Sequence, residues 1–159
     1  MPTSRAPGSE SPAQSGVGER VVETSSEAET RSLGRSVGEG LHPGAVVALI
    51  GDLGAGKTIF AKGVAEGLGC SDEASSPTFA LVHVYEGSVR VYHIDFYRLS
   101  GPDEVESLGF RDYLDGRGVL VVEWADRAPD SLPPDRLEVR FQRTGDESRR
   151  ITVRPLRGR

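Results

Sequence analysis

The sequence predicts an α/β fold: one domain with a mixed β-sheet, helices packed on it, and β-hairpins in its second half. Three observations predict it. The run "AVVALI", residues 45–50, is apolar on both faces, as a strand buried inside a sheet must be. A second such run, "GVLVV", residues 118–122, lies in the other half of the chain. Two further segments, "TFALVHVYEGSVRVYHID" and "LEVRFQRTGDESRRITVR", hold β-rich runs on either side of short Gly-containing turns.

Each element follows in order. Residues 1–20 are rich in Ser, Pro, Gly and Ala with almost nothing to bury, so a disordered tail is expected. A helix begins within "TSSEAETRSLGRSVGEGL". Thr24 with Glu27, or Ser26 with Glu29, makes a capping box, and Leu33, Val37 and Leu41 form an i, i+4, i+8 stripe. "HPG" breaks the chain before the first buried strand. "TIFAKGVAEGLG" is helical, with Phe60, Val64 and Leu68 on one face and Gly69 as C-cap. After the first hairpin, "SGPDEVESLG" reads as a short helix. Ser100 is its N-cap, Pro102 and acidic residues fill its first turn, and Gly109 closes it. A second short helix follows around "RDYLD", then the strand in "GVLVVEW", then the second hairpin with its Gly-Asp turn. The domain is expected over 21–153, with a flexible basic tail over 154–159.

The totals exclude several classes. A chain of 159 residues suits one domain, and a net charge of −5 gives no broad nucleic-acid-binding face. The single Cys70 rules out an intramolecular disulfide and a cysteine-rich metal site, and fits a reducing compartment. No apolar stretch reaches the length of a membrane span, and the N-terminus lacks the apolar core of a secretory signal. A cytoplasmic protein is expected, with no membrane or DNA partner.

Behind the first buried strand stands "GDLGAGKT". Gly51, Gly56, Lys57 and Thr58 match G-x-x-x-x-G-K-[ST] at every fixed position. The glycines let consecutive backbone N–H groups converge on one anion, and the following helix points its positive end at the same phosphates. Lys57 supplies a point charge to the β- and γ-phosphates, and the Thr58 hydroxyl can ligate Mg²⁺. A chance match arises about once in a hundred chains of this length. The strand before and helix after supply the required context, so the fold sharpens to a single P-loop NTPase-like domain.

Such a loop needs a carboxylate at the end of a neighbouring strand to hold Mg²⁺, directly or through water. Glu123 directly follows Val119–Val122, and Asp95 directly follows Ile94. The bland readings are a solvated strand end for Glu123, and a cap or a salt bridge to Arg98 for Asp95. The functional readings are a metal ligand for Glu123 and a water-orienting or basic group near the γ-phosphate for Asp95. In "SSPTFALV", Pro77 fixes an extended entry and Thr78 offers a switch hydroxyl, or marks a simple turn. His83 and His93 read as structural, Cys70 as an inert small side chain, and Trp124 as core before site wall. The five arginines of "RRITVRPLRGR" read first as a solvated strand face and frayed tail, and second as a contact for RNA or an acidic partner surface.

Three classes of phosphate-loop protein compete. A small-metabolite kinase needs an arginine-rich lid, and none is evident. A GTP switch needs a guanine-reading N-K-x-D element, and the chain contains no Asn. The third class is a small ATPase that gives its hydrolysis energy to a partner. A non-hydrolysing, nucleotide-regulated adaptor is a further alternative to the kinase.

"GDLGAGKT", "SPTF", "VYHIDFYRL", "LGFRDYL" and "VVEWADR", in this order and spacing, resemble the TsaE (YjeE) family of ATPases of bacterial tRNA threonylcarbamoyladenosine synthesis. The resemblance runs from about residue 24 to about 153. It implies a compact α/β nucleotide-binding fold, slow ATP hydrolysis with Mg²⁺, and docking onto TsaB and TsaD, with tRNA reached only through that complex. The transferase is the partner pair, not the ATPase. By the same resemblance, Thr58 and Glu123 hold Mg²⁺, while Asp52, Leu53, Gly54, Ala55, Gly56, Lys57 and Thr58, with Ile59 beside them, hold the nucleotide. Asp95 lies near the γ-phosphate, Thr78 belongs to a switch-like segment, and Ser26 and Glu27 lie by the adenine. Lys57 and Asp95 are the expected catalytic pair. The match weakens after Trp124, and no catalytic arginine is evident, so hydrolysis is expected to be weak without partners.

Overall fold

The computed structural model describes residues 18–52, 54–71, 74–75, 82–97, 99, 102–107 and 109–158. Leu53, Pro77, Thr78, Arg98 and Ser100 lie outside them, as does residues 1–17 of the expected tail. Along the chain run β1 (Arg20–Thr24), α1 (Glu27–Glu39), β2 (Val46–Gly51), α2 (Lys57–Gly67), β3 (Ala74–Ser75), β4 (Val82–Tyr85) and β5 (Val91–Asp95). Then follow α3 (Pro102–Ser107), β6 (Val119–Glu123), β7 (Arg136–Arg143) and β8 (Arg149–Leu156). Short 3-10 turns at Phe110–Tyr113, Ala125–Arg127 and Pro129–Ser131 fill the connections.

The strands form one mixed sheet in the order β1-β8-β7-β2-β6-β5-β4-β3. Its middle, β7-β2-β6-β5, is parallel; β1, β8, β4 and β3 join by antiparallel pairing at the flanks. Parallel strands must be covered on both faces, and the apolar-both-ways character of β2 and β6 meets that demand. Val47, Leu49 and Val121 point to one layer with Phe60 and Val64 of α2. Val46, Ala48 and Val122 point to the other, with Val105 of α3 and Phe110. The two hairpins expected from sequence are β4–β5 and β7–β8.

Helices α1 and α2 touch backbone to backbone. A Cβ on Gly34 or Gly38 would land on the carbonyl oxygen of Phe60 or Val64, and one on Gly63 or Gly67 on that of Arg31 or Arg35. Only glycine permits this approach. Arg31 and Arg35 of α1 then both pair with Glu66 of α2.

Of the two capping boxes expected, the structure forms the second, and two other local details differ from expectation. Ser26, not Thr24, is the N-cap of α1: its hydroxyl accepts from Glu29 N at 3.1 Å, while Glu29 reaches back to Ser25 N at 2.7 Å. Thr24 is instead the last residue of β1, its hydroxyl bonded to that of Thr30 at 2.8 Å. Strand β1 itself had no period-2 signal, since Val21 and Val22 are adjacent; it forms because β8 offers it an edge to pair with. Strand β8 continues to Leu156, so Arg154–Leu156 is strand and not flexible tail; Arg154 lies opposite Glu138 in register. Among the described residues no helix is long and apolar enough to cross a membrane.

Candidate functional site

The site is built where β2, β5 and β6 end, at the carboxyl edge of the parallel strands. At Gly51, the last residue of β2, a Cβ would stand 2.8 Å from the Phe141 carbonyl oxygen on β7. At Gly56, which caps α2, φ is +99°, a left-handed conformation that a side chain would strain. The two fixed glycines of the motif therefore serve two ends of the loop, one by close approach and one by conformation.

Lys57, only 4% exposed, opens α2 and folds its ammonium back over the loop. Nζ donates to the carbonyls of Gly51 at 2.6 Å and Asp52 at 2.8 Å, and stands 4.2 Å from the centre of the Trp124 ring. Burial pushes the Lys57 pKa down, against the pull of Glu123, Asp95, Asp52 and Asp126. A partly desolvated cation among carbonyl oxygens gains most from an arriving anion.

Glu123 ends β6, between Leu49 of β2 and Asp95 of β5. It is 5% exposed, and its Oε2 accepts from the Thr58 hydroxyl at 2.9 Å and from His93 Nε2 at 2.6 Å. Burial pushes the Glu123 carboxyl up. The hydrogen bond and charge of His93, the Thr58 hydroxyl and the Lys57 charge outweigh it and hold the group below its usual value. Two hard oxygen donors from Thr58 and Glu123 thus stand 2.9 Å apart. Mg²⁺, octahedral at ~2.0–2.1 Å, sets neighbouring ligand oxygens at about that spacing, so the pair fits this ion.

Asp95 is half-buried and its Oδ1 accepts from Tyr97 N at 2.8 Å. A cleft of ≈ 270 Å³ runs between these groups. Gly54, Gly56, Lys57, Thr58 and Ile59 of the loop and α2 line it together with Asp95, Glu123 and Glu27. Ser26 does not line it; its hydroxyl is engaged in capping α1. Asp52 and Ala55 form the loop's own turn, Ala55 N donating to Asp52 O at 3.0 Å. Leu53 and Thr78 lie outside the described residues.

This geometry can be set beside known proteins. Residues 24–151 match the family model described as threonylcarbamoyl adenosine biosynthesis protein TsaE. The chain belongs to the TsaE family. The tRNA threonylcarbamoyladenosine biosynthesis protein TsaE of Bacillus subtilis (strain 168) is 45% identical over 125 residues, 78% of each chain. Its counterpart in Treponema pallidum (strain Nichols) is 42% identical, covering 79% of this chain and 93% of its own. The crystal structure of Bacillus subtilis YdiB superposes with a TM-score of 0.74 at 36% identity, over 90% of both chains. The TsaE family is one of tRNA threonylcarbamoyladenosine biosynthesis, and the fold is the one YdiB shows.

Within this TsaE-family site, two residues stand apart from their sequence reading, and Trp124 meets both of the readings offered for it. His93 is not merely a strand residue: it touches Glu123, and its Nδ1 is buried without a partner among the described residues. From sequence it had only a structural reading; the β5–β6 register is what shows which group it faces. Trp124 both packs against the core and lines the cleft. Its φ of 58° swings the ring off the end of β6 onto Lys57 and within 4.9 Å of the Tyr97 ring; for a bulky residue that conformation costs about 1–2 kcal/mol. Arg149, read as part of a solvated strand face, is 8% exposed and lines the cleft.

Proposed function

We propose that this TsaE-family protein is a Mg²⁺-dependent ATPase of the cytoplasm that supports threonylcarbamoyladenosine modification of tRNA by acting on TsaB and TsaD. It does not itself transfer the group, and it meets tRNA only through that complex. The observation that most supports this reading is the meeting of Thr58 and Glu123, 2.9 Å apart, at the first turn of a phosphate-loop helix. Mg²⁺ held there would neutralise charge developing on the γ-phosphoryl oxygens. Loop amides from Asp52 to Thr58 and the N-terminus of α2 cradle the phosphates. Lys57 exchanges two carbonyl partners for phosphate oxygens and so concentrates positive charge where the transition state needs it. Asp95, which lines the same cleft, orients the attacking water. Glu27 and Thr30 also line the cleft, and the base would lie beside them.

The test is phosphate release from Mg·ATP by the purified protein, alone and with TsaB and TsaD. Slow release alone and faster release with the pair is expected, and Lys57→Ala should reduce both to background. An unchanged rate on adding the pair would refute the action on TsaB and TsaD. A phosphorylated small-molecule acceptor in place of free phosphate would make the protein a kinase, and no release at all would make it a nucleotide-regulated adaptor.

A further inference from the structure

A phosphate cradle turns its N–H groups inward, so its carbonyl groups face outward and need partners of their own. In this chain two of those carbonyls are taken by one side chain from far along the sequence. Arg149, the first residue of β8, donates from Nε to Ala55 O at 3.0 Å and from Nη2 to Gly54 O at 3.0 Å. Its third nitrogen, Nη1, donates to three carbonyls of the β7–β8 turn: Ser148 at 3.0 Å, Asp146 at 3.3 Å and Gly145 at 3.5 Å. The guanidinium is a buried plug between two loops, and its planar fork suits both at once. Among the described residues no carboxylate lies within ion-pair distance of it, and its hydrogen-bond partners are all carbonyls.

We propose that Arg149 is a positioning residue for the phosphate loop, holding Gly54 and Ala55 in the anion-binding conformation before any nucleotide arrives. The β7–β8 turn is the anchor that it holds them to. Two consequences are specific. The loop is preformed, so the ordering that would otherwise oppose phosphate binding has already occurred in folding. A cation without a direct ion-pair partner also raises the potential beside the cradle, which favours any polyphosphate, ATP or ADP alike. Lysine cannot replace it: an ammonium reaches one loop or the other, not both.

The inference rests on the nucleotide-binding reading above, and the test separates the two. ATP and ADP affinities are measured by calorimetry for the wild type, Lys57→Ala, Arg149→Lys and Arg149→Met. Urea unfolding and amide hydrogen exchange across residues 52–58 are followed in parallel. Loss of one charge-assisted bond pair predicts affinities about ten-fold weaker for both nucleotides in Arg149→Lys. Faster exchange in the loop should accompany that loss, with the KM for ATP raised by a larger factor than kcat is lowered. Arg149→Met should weaken binding further; if it fails to fold, Arg149→Lys alone carries the test. Wild-type affinity and wild-type loop exchange in folded Arg149→Lys would overturn the proposal while leaving nucleotide binding intact. A wild type that binds neither nucleotide would overturn the functional reading instead.

Discussion

The carboxyl ends of β5 and β6 stand side by side, Asp95 opposite Glu123 in register, and they are built in different ways. Glu123 is buried and held by side chains from two other segments, Thr58 from the loop helix and His93 from the neighbouring strand. Asp95 is half-buried, and its bond to the described residues comes from its own turn, through Tyr97 N. A buried carboxylate so fixed is suited to hold a cation at one place. One whose side-chain hydrogen bond among the described residues is to its own turn can still reorient toward a water in the cleft. The same residue class at the same register position thus supports two roles, and environment distinguishes them.

The sharpest way to break the comparison is to remove each carboxylate in turn. Glu123→Ala takes away the metal's charged ligand and leaves His93 and the Thr58 hydroxyl without their acceptor. Mg²⁺-dependent phosphate release should fall about a thousand-fold, the equivalent of several kcal/mol of charge stabilisation. Full Mg²⁺-dependent activity in this variant would remove Glu123 from the metal site. Asp95→Asn keeps the shape and the bond from Tyr97 N but loses the base. Its maximal rate should fall about a hundred-fold, at the low end for proton transfer, with the Mg²⁺ requirement unchanged. A raised Mg²⁺ requirement with an unaltered maximal rate would mean that the two ends share one role.

His93 sharpens the comparison further because it belongs to β5 yet serves β6. His93→Ala should raise the Mg²⁺ concentration for half-maximal activity about ten-fold, as expected for an outer partner of a metal ligand. His93→Gln, whose amide can still donate to Oε2, should recover part of that loss. Equal defects in the two variants would make His93 a packing residue only.

What was legible from sequence follows the reach of each signal. The loop, both strand-end carboxylates and both hairpins could be read because each lies within a few residues of its own evidence. Periodicity gave β2 and β6 for the same reason: both faces are apolar, so a short window suffices. His93 and Arg149 were not legible. Their partners lie 30 and about 94 residues away, and only strand order brings them together. The glycine contact between α1 and α2 was hidden likewise, since glycine at a four-residue spacing lowers helix propensity and gives no local sign of the helix that needs it. Strand β1 depends on the edge of β8 and has no pattern of its own.

The smallest expected effect concerns stability and belongs to the β6 end. The folded Glu123 carboxyl is held below its ordinary value despite burial, through His93, Thr58 and Lys57. A depressed folded pKa means that the unfolded chain binds the proton first as pH falls. The contribution of ionised Glu123 is therefore complete above the unfolded value, ~4.3, and is lost as pH drops through the folded one. Urea unfolding of wild type and Glu123→Gln should differ by a constant amount from pH 7 down to about pH 5. Below that, the gap should narrow as wild-type Glu123 takes up its proton and the two side chains become nearly isosteric neutral groups. A gap that widened on acidification would reverse the sign. It would mean that burial, not the His93–Thr58–Lys57 cluster, decides the charge of this carboxylate.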